Sequence, residues 1–187
     1  MDSVLKVKGI VTVQVHQNGV LVDEFTKENI VLYQGKAAII NDLVYPTAVI
    51  IARMAVGDQG TIPSDPRVPK IVNPQNTTLF HEVYRQDLSG VSITTNVATN
   101  SAQFTAIFRA ADIPLTSYAD QVKPVISEVA LVLVDSLIAP PLPRTPVAAP
   151  NAQHPAETLF SIRTFNAIPF EAASGTTISI KYTIMII

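Results

Sequence analysis

The chain has 187 residues, 15% of them charged, a net charge of −2, and neither cysteine nor tryptophan. Without a dense basic patch a nucleic-acid partner is not expected, and without cysteine there are no disulfides, thiolate nucleophiles or sulfur-ligated zinc sites. No run approaches the roughly 18–20 consecutive apolar residues of a membrane helix, and the N-terminus lacks the compact apolar block of a signal peptide.

The length fits a single domain over 1–187. Positive mean hydropathy in a chain without a membrane signal favours a protein that hides surface in an assembly, as obligate oligomers do. A homo-oligomer is therefore expected.

The first strand is read from Leu5, Val7, Val11, Val13 and Val15 alternating with Lys6, Lys8, Thr12, Gln14 and His16, interrupted at Gly9-Ile10. Asn18-Gly19 then gives the strongest short hairpin signal, since both residues tolerate positive φ. Val20 to Phe25 is the return strand, and its imperfect alternation predicts a bulge. Ile30 to Tyr33 is a short apolar stretch. Gly35 to Val44 carries Ala38, Ile39 and Leu43 at helical spacing and is stopped by Pro46. Strand character resumes from Ala48 to Val56.

Residues Asp58 to Asn76 hold Pro63, Pro66, Pro69 and Pro74 and predict a long loop. Further strands are expected over Leu79–Leu88, Gly90–Ala98 and Ala102–Ala110. In the last, Ala102, Phe104, Ala106 and Phe108 point inward. Tyr118 to Lys123 is a connection. Val125 to Val134 is apolar on both faces after Glu128, which predicts a central strand or one at an interface.

Six prolines crowd the interval from Leu137 to Pro155. The segment reads either as a surface loop or as an extended arm lying along a neighbouring subunit. For such an arm Leu137, Ile138, Leu142 and Val147 are the candidate contacts. Thr158–Asn166 and Thr176–Ile187 close the domain as two strands. The final one alternates Ile178, Ile180, Tyr182, Ile184 and Ile186 with Thr177, Ser179, Lys181 and Thr183. Its terminal Met185, Ile186 and Ile187 are expected to be covered, by this domain or by a neighbouring copy. The sum is mainly β: an antiparallel β-sandwich or jelly-roll-like barrel with one short helix and long Pro-rich loops.

The chemistry-bearing residues form no catalytic pattern. His16, His81 and His154 are far apart, without a metal-ligand spacing. Gly57-Asp58-Gln59-Gly60 lacks the spacing and lysine of a phosphate loop and reads as a turn. No nucleophile elbow is present. No enzyme activity, cofactor or metal is expected. Glu82, Arg85, Glu128 and Arg163 are charges inside apolar strands; they either face solvent or form cross-strand Arg–Glu pairs that fix register or join subunits.

Several segments, taken in order, carry a pattern: Asn29-Ile30-Val31, Gly35-Lys36-Ala37, Met54-Ala55-Val56-Gly57, Leu79 to Arg85, Ile126 to Leu131, Leu159 to Phe165, and the closing strand. In that order the chain resembles a widespread kind of bacteriophage virion protein. These are β-rich structural components found among tail, collar, fibre-anchoring and capsid-decorating proteins. The resemblance implies a non-enzymatic subunit of the tail, neck (collar) or baseplate, assembled in the host cytoplasm, whose partners are copies of itself and other virion proteins. The segment from Pro140 to Pro155 is longer than the pattern usually holds, so capsid decoration is an alternative location. A carbohydrate-binding receptor-recognition domain is a further alternative, disfavoured by the lack of tryptophan.

Overall fold

Asn18 and Gly19 both have positive φ, 50° and 82°, the geometry of a two-residue hairpin turn whose twist matches that of its strands. In the computed structural model, which describes residues 6–44, 49–88, 92–135 and 157–187, this turn joins β1 (Val7–Gln17) to β2 (Val20–Val31). The bulge expected in this hairpin falls at Val15/His16. The return strand runs well past Phe25. Its polar continuation is held on the solvent face by cross-strand pairs with β1: Gln14–Glu24 at 2.6 Å, Thr12–Thr26 at 2.9 Å and Lys8–Glu28 at 2.5 Å. Ile30 and Val31, read as a separate stretch, are the end of β2. Gly9 faces Asn29 in the ladder, and a Cβ there would lie 1.7 Å from Asn29 Oδ1.

Helix α1 (Tyr33–Val44) begins two residues before the expected Gly35. It is pressed so closely on β10 (Glu157–Pro169) that a Cβ at Gly35 would meet the Phe160 carbonyl at 2.3 Å. β3 spans Val49–Gly57. Within the expected loop after it lies a small hairpin, β4 (Thr61–Ile62) and β5 (Asp65–Pro69). The next two strands are shorter than their apolar patterns suggest: β6 is Glu82–Asp87 and β7 is Ile93–Asn96. β8 (Ser101–Arg109), β9 (Val125–Asp135) and β11 (Thr176–Ile186) follow the expected limits closely.

Nine of these strands form one curled antiparallel sheet in the order β6-β3-β9-β10-β2-β1-β11-β8-β7. Its two halves stack as a sandwich, and β2 belongs to both. Most of β2 pairs with β1, while Ile30 and Val31 pair with Ile162 and Ser161 of β10. Between the halves lies the main core, built from Val11, Val13 and Val15 of β1, Phe104 and Phe108 of β8, and Ile178, Ile180 and Tyr182 of β11. Met54, Val56, Val129, Leu131 and Phe160 complete it from the other half. Burial of each such side chain contributes roughly 1.5–3 kcal/mol.

The half containing β9 is buried on its second face too. Ala55, Ala130, Val132, Leu159 and Ile162 pack there against Leu32, Val72 and Leu79. The chain between β3 and β6 thus acts as a cover, and β9, apolar on both faces, lies between β3 and β10 as its composition implied. No helix among the described residues is long and apolar enough to cross a membrane.

Candidate functional site

Among the described residues, buried polar side chains gather at two clusters beside β3 and β9 and at a third where Tyr182 meets Asn29, Ser161 and Arg163. A groove lies where β2 and β10 part. The first cluster forms where β3 ends. Gly57 and Gly60 bring the turn Gly57-Asp58-Gln59-Gly60 against β9; a Cβ on Gly60 would lie 2.3 Å from the Ser127 carbonyl. The Gly60 N–H donates to Ser127 Oγ at 2.8 Å. Glu128, fully buried, accepts the Phe80 N–H at Oε2 (2.8 Å) and the His81 N–H at Oε1 (2.9 Å). Asp58 accepts the Ala119 N–H at 2.6 Å and meets His81 Nδ1 at 2.6 Å. The cover segment is therefore tied at both ends to β9 and to the connection before it.

Burial pushes the Glu128 carboxyl up to about 7, with the nearby Asp58 charge adding to the rise and the backbone N–H groups opposing it. Burial, and again Asp58, pushes the Tyr118 hydroxyl up. Each oxygen of Glu128 and Asp58 is occupied by a donor from the protein itself. The arrangement is that of a clamp on backbone rather than of an acid or base held toward a substrate.

The second cluster lies across the same half of the sheet. Arg53, Arg85, Glu82 and Glu157 all have side chains at most 5% exposed. Glu157 bridges Arg53 and Arg85. Arg85 also takes both oxygens of Glu82, with Nη2–Oε2 at 2.6 Å, and Arg53 Nε meets Asp87 at 2.5 Å. Charges withdrawn from water in this way are tolerable because each is matched by an opposite charge and hydrogen bonds.

The four charges singled out in the sequence thus meet different fates. Glu82 and Arg85 pair with each other, and with Glu128 they are buried, which corrects the reading that they face solvent. Glu128 clamps backbone. Arg163 is half-buried and donates from Nη1 to the Glu28 carbonyl at 2.9 Å. Arg53 and Glu157 escaped sequence reading, although Arg53 sits between Ala52 and Met54 in an apolar strand, the same signal that marked the others.

Of the candidate interface residues, Leu137, Ile138, Leu142 and Val147 lie outside the described residues, as does His154. Ile186 and Ile187 are 40% and 65% exposed, so the described residues do not supply the cover expected for them. They are held instead through backbone. The N–H and carbonyl of Ile187 pair with Lys6 at 2.9 Å, and the Ile186 N–H donates to Asn100 at 3.0 Å. Ile184 and Ile186 line a shallow apolar concavity of about 530 Å³ with Val97 and Ala102.

The groove opens where β2 and β10 part below their short ladder. It has a volume of about 580 Å³ and is lined by Asp23, Phe25 and Lys27 on one side and Arg163, Phe165 and Ile168 on the other. Phe25 and Phe165 meet at its floor with ring centroids 5.3 Å apart. Among the described residues no group of three or more His, Asp or Glu side chains is placed to hold a metal ion. No family model matches the chain, and no curated protein or solved structure matches it either.

Proposed function

We propose that this chain is a non-enzymatic structural subunit of a bacteriophage virion, in the tail, neck or baseplate, that works by packing against copies of itself and other virion proteins. The observation that carries the reading is where the resembling segments fall. Met54 to Gly57, Leu79 to Arg85, Ile126 to Leu131 and Leu159 to Phe165 lie on or beside the adjacent strands β3, β6, β9 and β10. Gly35-Lys36-Ala37 sits on the helix packed against Phe160. What these segments encode is a scaffold: the Glu128 clamp on Phe80 and His81, the Glu82–Arg85 pair, the close contacts of Gly35 and Gly57 and the central strand. Glu128 and Arg85 direct their polar atoms at the protein's own backbone and charges.

A second feature agrees with assembly. Val20, Leu21 and Val22 at one end of the sheet, and Val97, Ile186 and Ile187 at the other, are each 40% exposed or more, apolar patches of the kind that subunit contacts cover.

The test is immunogold labelling of intact phage particles with an antibody to this protein, with copy number measured by quantitative mass spectrometry. Label at the tail or neck, with a few to tens of copies per particle, is the expected result. Label over the whole shell at hundreds of copies would move the protein to capsid decoration, and unlabelled particles would remove the virion reading altogether.

A further inference from the structure

The long edge of β2 carries its own pairing instructions. From Val20 to Asn29 the strand is laddered to β1 on one side, with Val22 left out at the bulge, so that Asp23 to Asn29 is the regular stretch. On the other side, no described strand pairs with it until Ile30 meets β10, and the Arg163 side chain donates to the Glu28 carbonyl close to that end, leaving Asp23 to Lys27 as the open stretch. The edge is long, begins with the exposed Val20, Leu21 and Val22, and borders the groove of about 580 Å³ left by the departure of β10. An edge of this kind is a template for another strand.

The charges of β2 divide by face. Glu24 and Glu28, on the solvent face, are engaged by Gln14 and Lys8 of β1. Asp23 and Lys27, on the groove face with Phe25, meet no ion-pair partner among the described residues. They are four residues apart on one strand, about 13 Å, too far to pair with each other.

We infer that β2 pairs with β2 of a second copy of this chain, antiparallel and centred on Phe25, so that Asp23 of each copy faces Lys27 of the other. The charge pattern selects this register. A two-fold axis perpendicular to the sheet sets each residue opposite one on the same face, so the axis passes through a residue. Centred on Asp23, Glu24, Lys27 or Glu28, the pairing sets a charge against its own copy. Centred on Thr26 it opposes Glu24 to Glu28 twice. Centred on Phe25 it makes two Asp23–Lys27 pairs and one Phe25–Phe25 contact, and no like charges are opposed. Cross-strand pairs of these kinds stabilise, and like charges directly opposite destabilise.

The inference stands on β2 alone. Particles that carry no label would overturn the virion reading and leave it intact, and a monomer would do the reverse. The experiment is sedimentation equilibrium on the purified full chain, with circular dichroism alongside. The wild type is expected at twice the 20.2 kDa chain mass. Lys27→Asp and Asp23→Lys, each opposing like charges twice, should weaken association by about tenfold or more. The double variant Asp23→Lys/Lys27→Asp restores it. A monomeric wild type, or a single variant that associates as tightly as wild type, overturns the proposal. Should a single variant lose its fold, the double variant decides: dimer supports the pairing and monomer overturns it.

Discussion

Gly57 lies so close to Glu128 that a Cβ added to it would sit 2.5 Å from Glu128 Oε1, and 2.3 Å from the His81 carbonyl. The last residue of β3 and the buried carboxyl of β9 are thus one fitted unit, with the end of the segment before β6 locked between them.

Gly57→Ala should therefore destabilise the fold by roughly 2–3 kcal/mol, the cost of overpacking against backbone that has no room to shift. Urea unfolding would show a lower midpoint at an unchanged slope. A loss below about 0.5 kcal/mol would mean that the turn yields, and that the clamp does not depend on this contact.

Glu128 sets a pH dependence whose sign follows from burial. Its carboxyl is raised from 4.5 in the open chain to about 7 in the fold, so between those values the folded state holds the proton more tightly. The contribution is fully present below about pH 4.5 and is lost as the pH rises through about 7. With each pKa unit equal to about 1.4 kcal/mol, it amounts to roughly 3 kcal/mol. Glu128→Gln should flatten this component, and should itself cost roughly 1–3 kcal/mol because an amide N–H₂ then faces a backbone N–H. The difference between wild-type and variant urea midpoints, followed from pH 4 to pH 8, is the measurement. Parallel curves would show that Glu128 does not titrate in this range.

Removing Glu157 should be among the most damaging single changes in the molecule. Glu157→Ala leaves the buried Arg53 and Arg85 without their shared partner, a loss of roughly 3–5 kcal/mol. The contrast is Lys8→Ala, which breaks the Lys8–Glu28 pair whose side chains are 40% and 71% exposed and should cost far less, because solvent screens the pair. Thermal unfolding of the two variants side by side checks the ranking; equal losses would mean that the buried network contributes no more than a surface pair.

Deleting Ile186 and Ile187 removes the main-chain bonds to Asn100 and Lys6 and the part of the two side chains, 40% and 65% exposed, that is covered. The expected loss is about 1–3 kcal/mol, with the fold retained. Hydrogen exchange should show Lys6 losing protection while the centre of β11 keeps it. Loss of protection across the whole of β11 would show that these two residues hold more than their own end of the strand.

The parts of this fold that were legible in the sequence are those set by local pattern. Asn18-Gly19 gave the hairpin, the alternation of β8 and β11 gave their inward faces, and the two-sided apolar character of β9 gave its central place. Strand limits were lost where pattern and pairing disagree. Thr26 to Asn29 look like loop by composition, yet β2 continues through them because β1 supplies a matching polar face. Leu79 to His81 look like strand, yet they are drawn off to serve Glu128 and the outer core.

The candidate site was less legible, for a physical reason. A charged residue in an apolar strand has the same sequence signature whether it faces water, binds a partner or clamps backbone. Arg53 and Glu157 are 104 positions apart in the sequence, and neither signals the other. Only the sheet order, which brings β6, β3, β9 and β10 side by side, places their side chains within reach.

By itself, then, the sequence determined a mainly β, antiparallel protein with low charge and strongly patterned strands, because side-chain alternation is a property of each strand alone. The tertiary structure decided which charges are buried and with whom, which glycines cannot be anything else, and which strand edge stays open. Each of these depends on what a distant segment places opposite, and that is fixed only when the strands assemble.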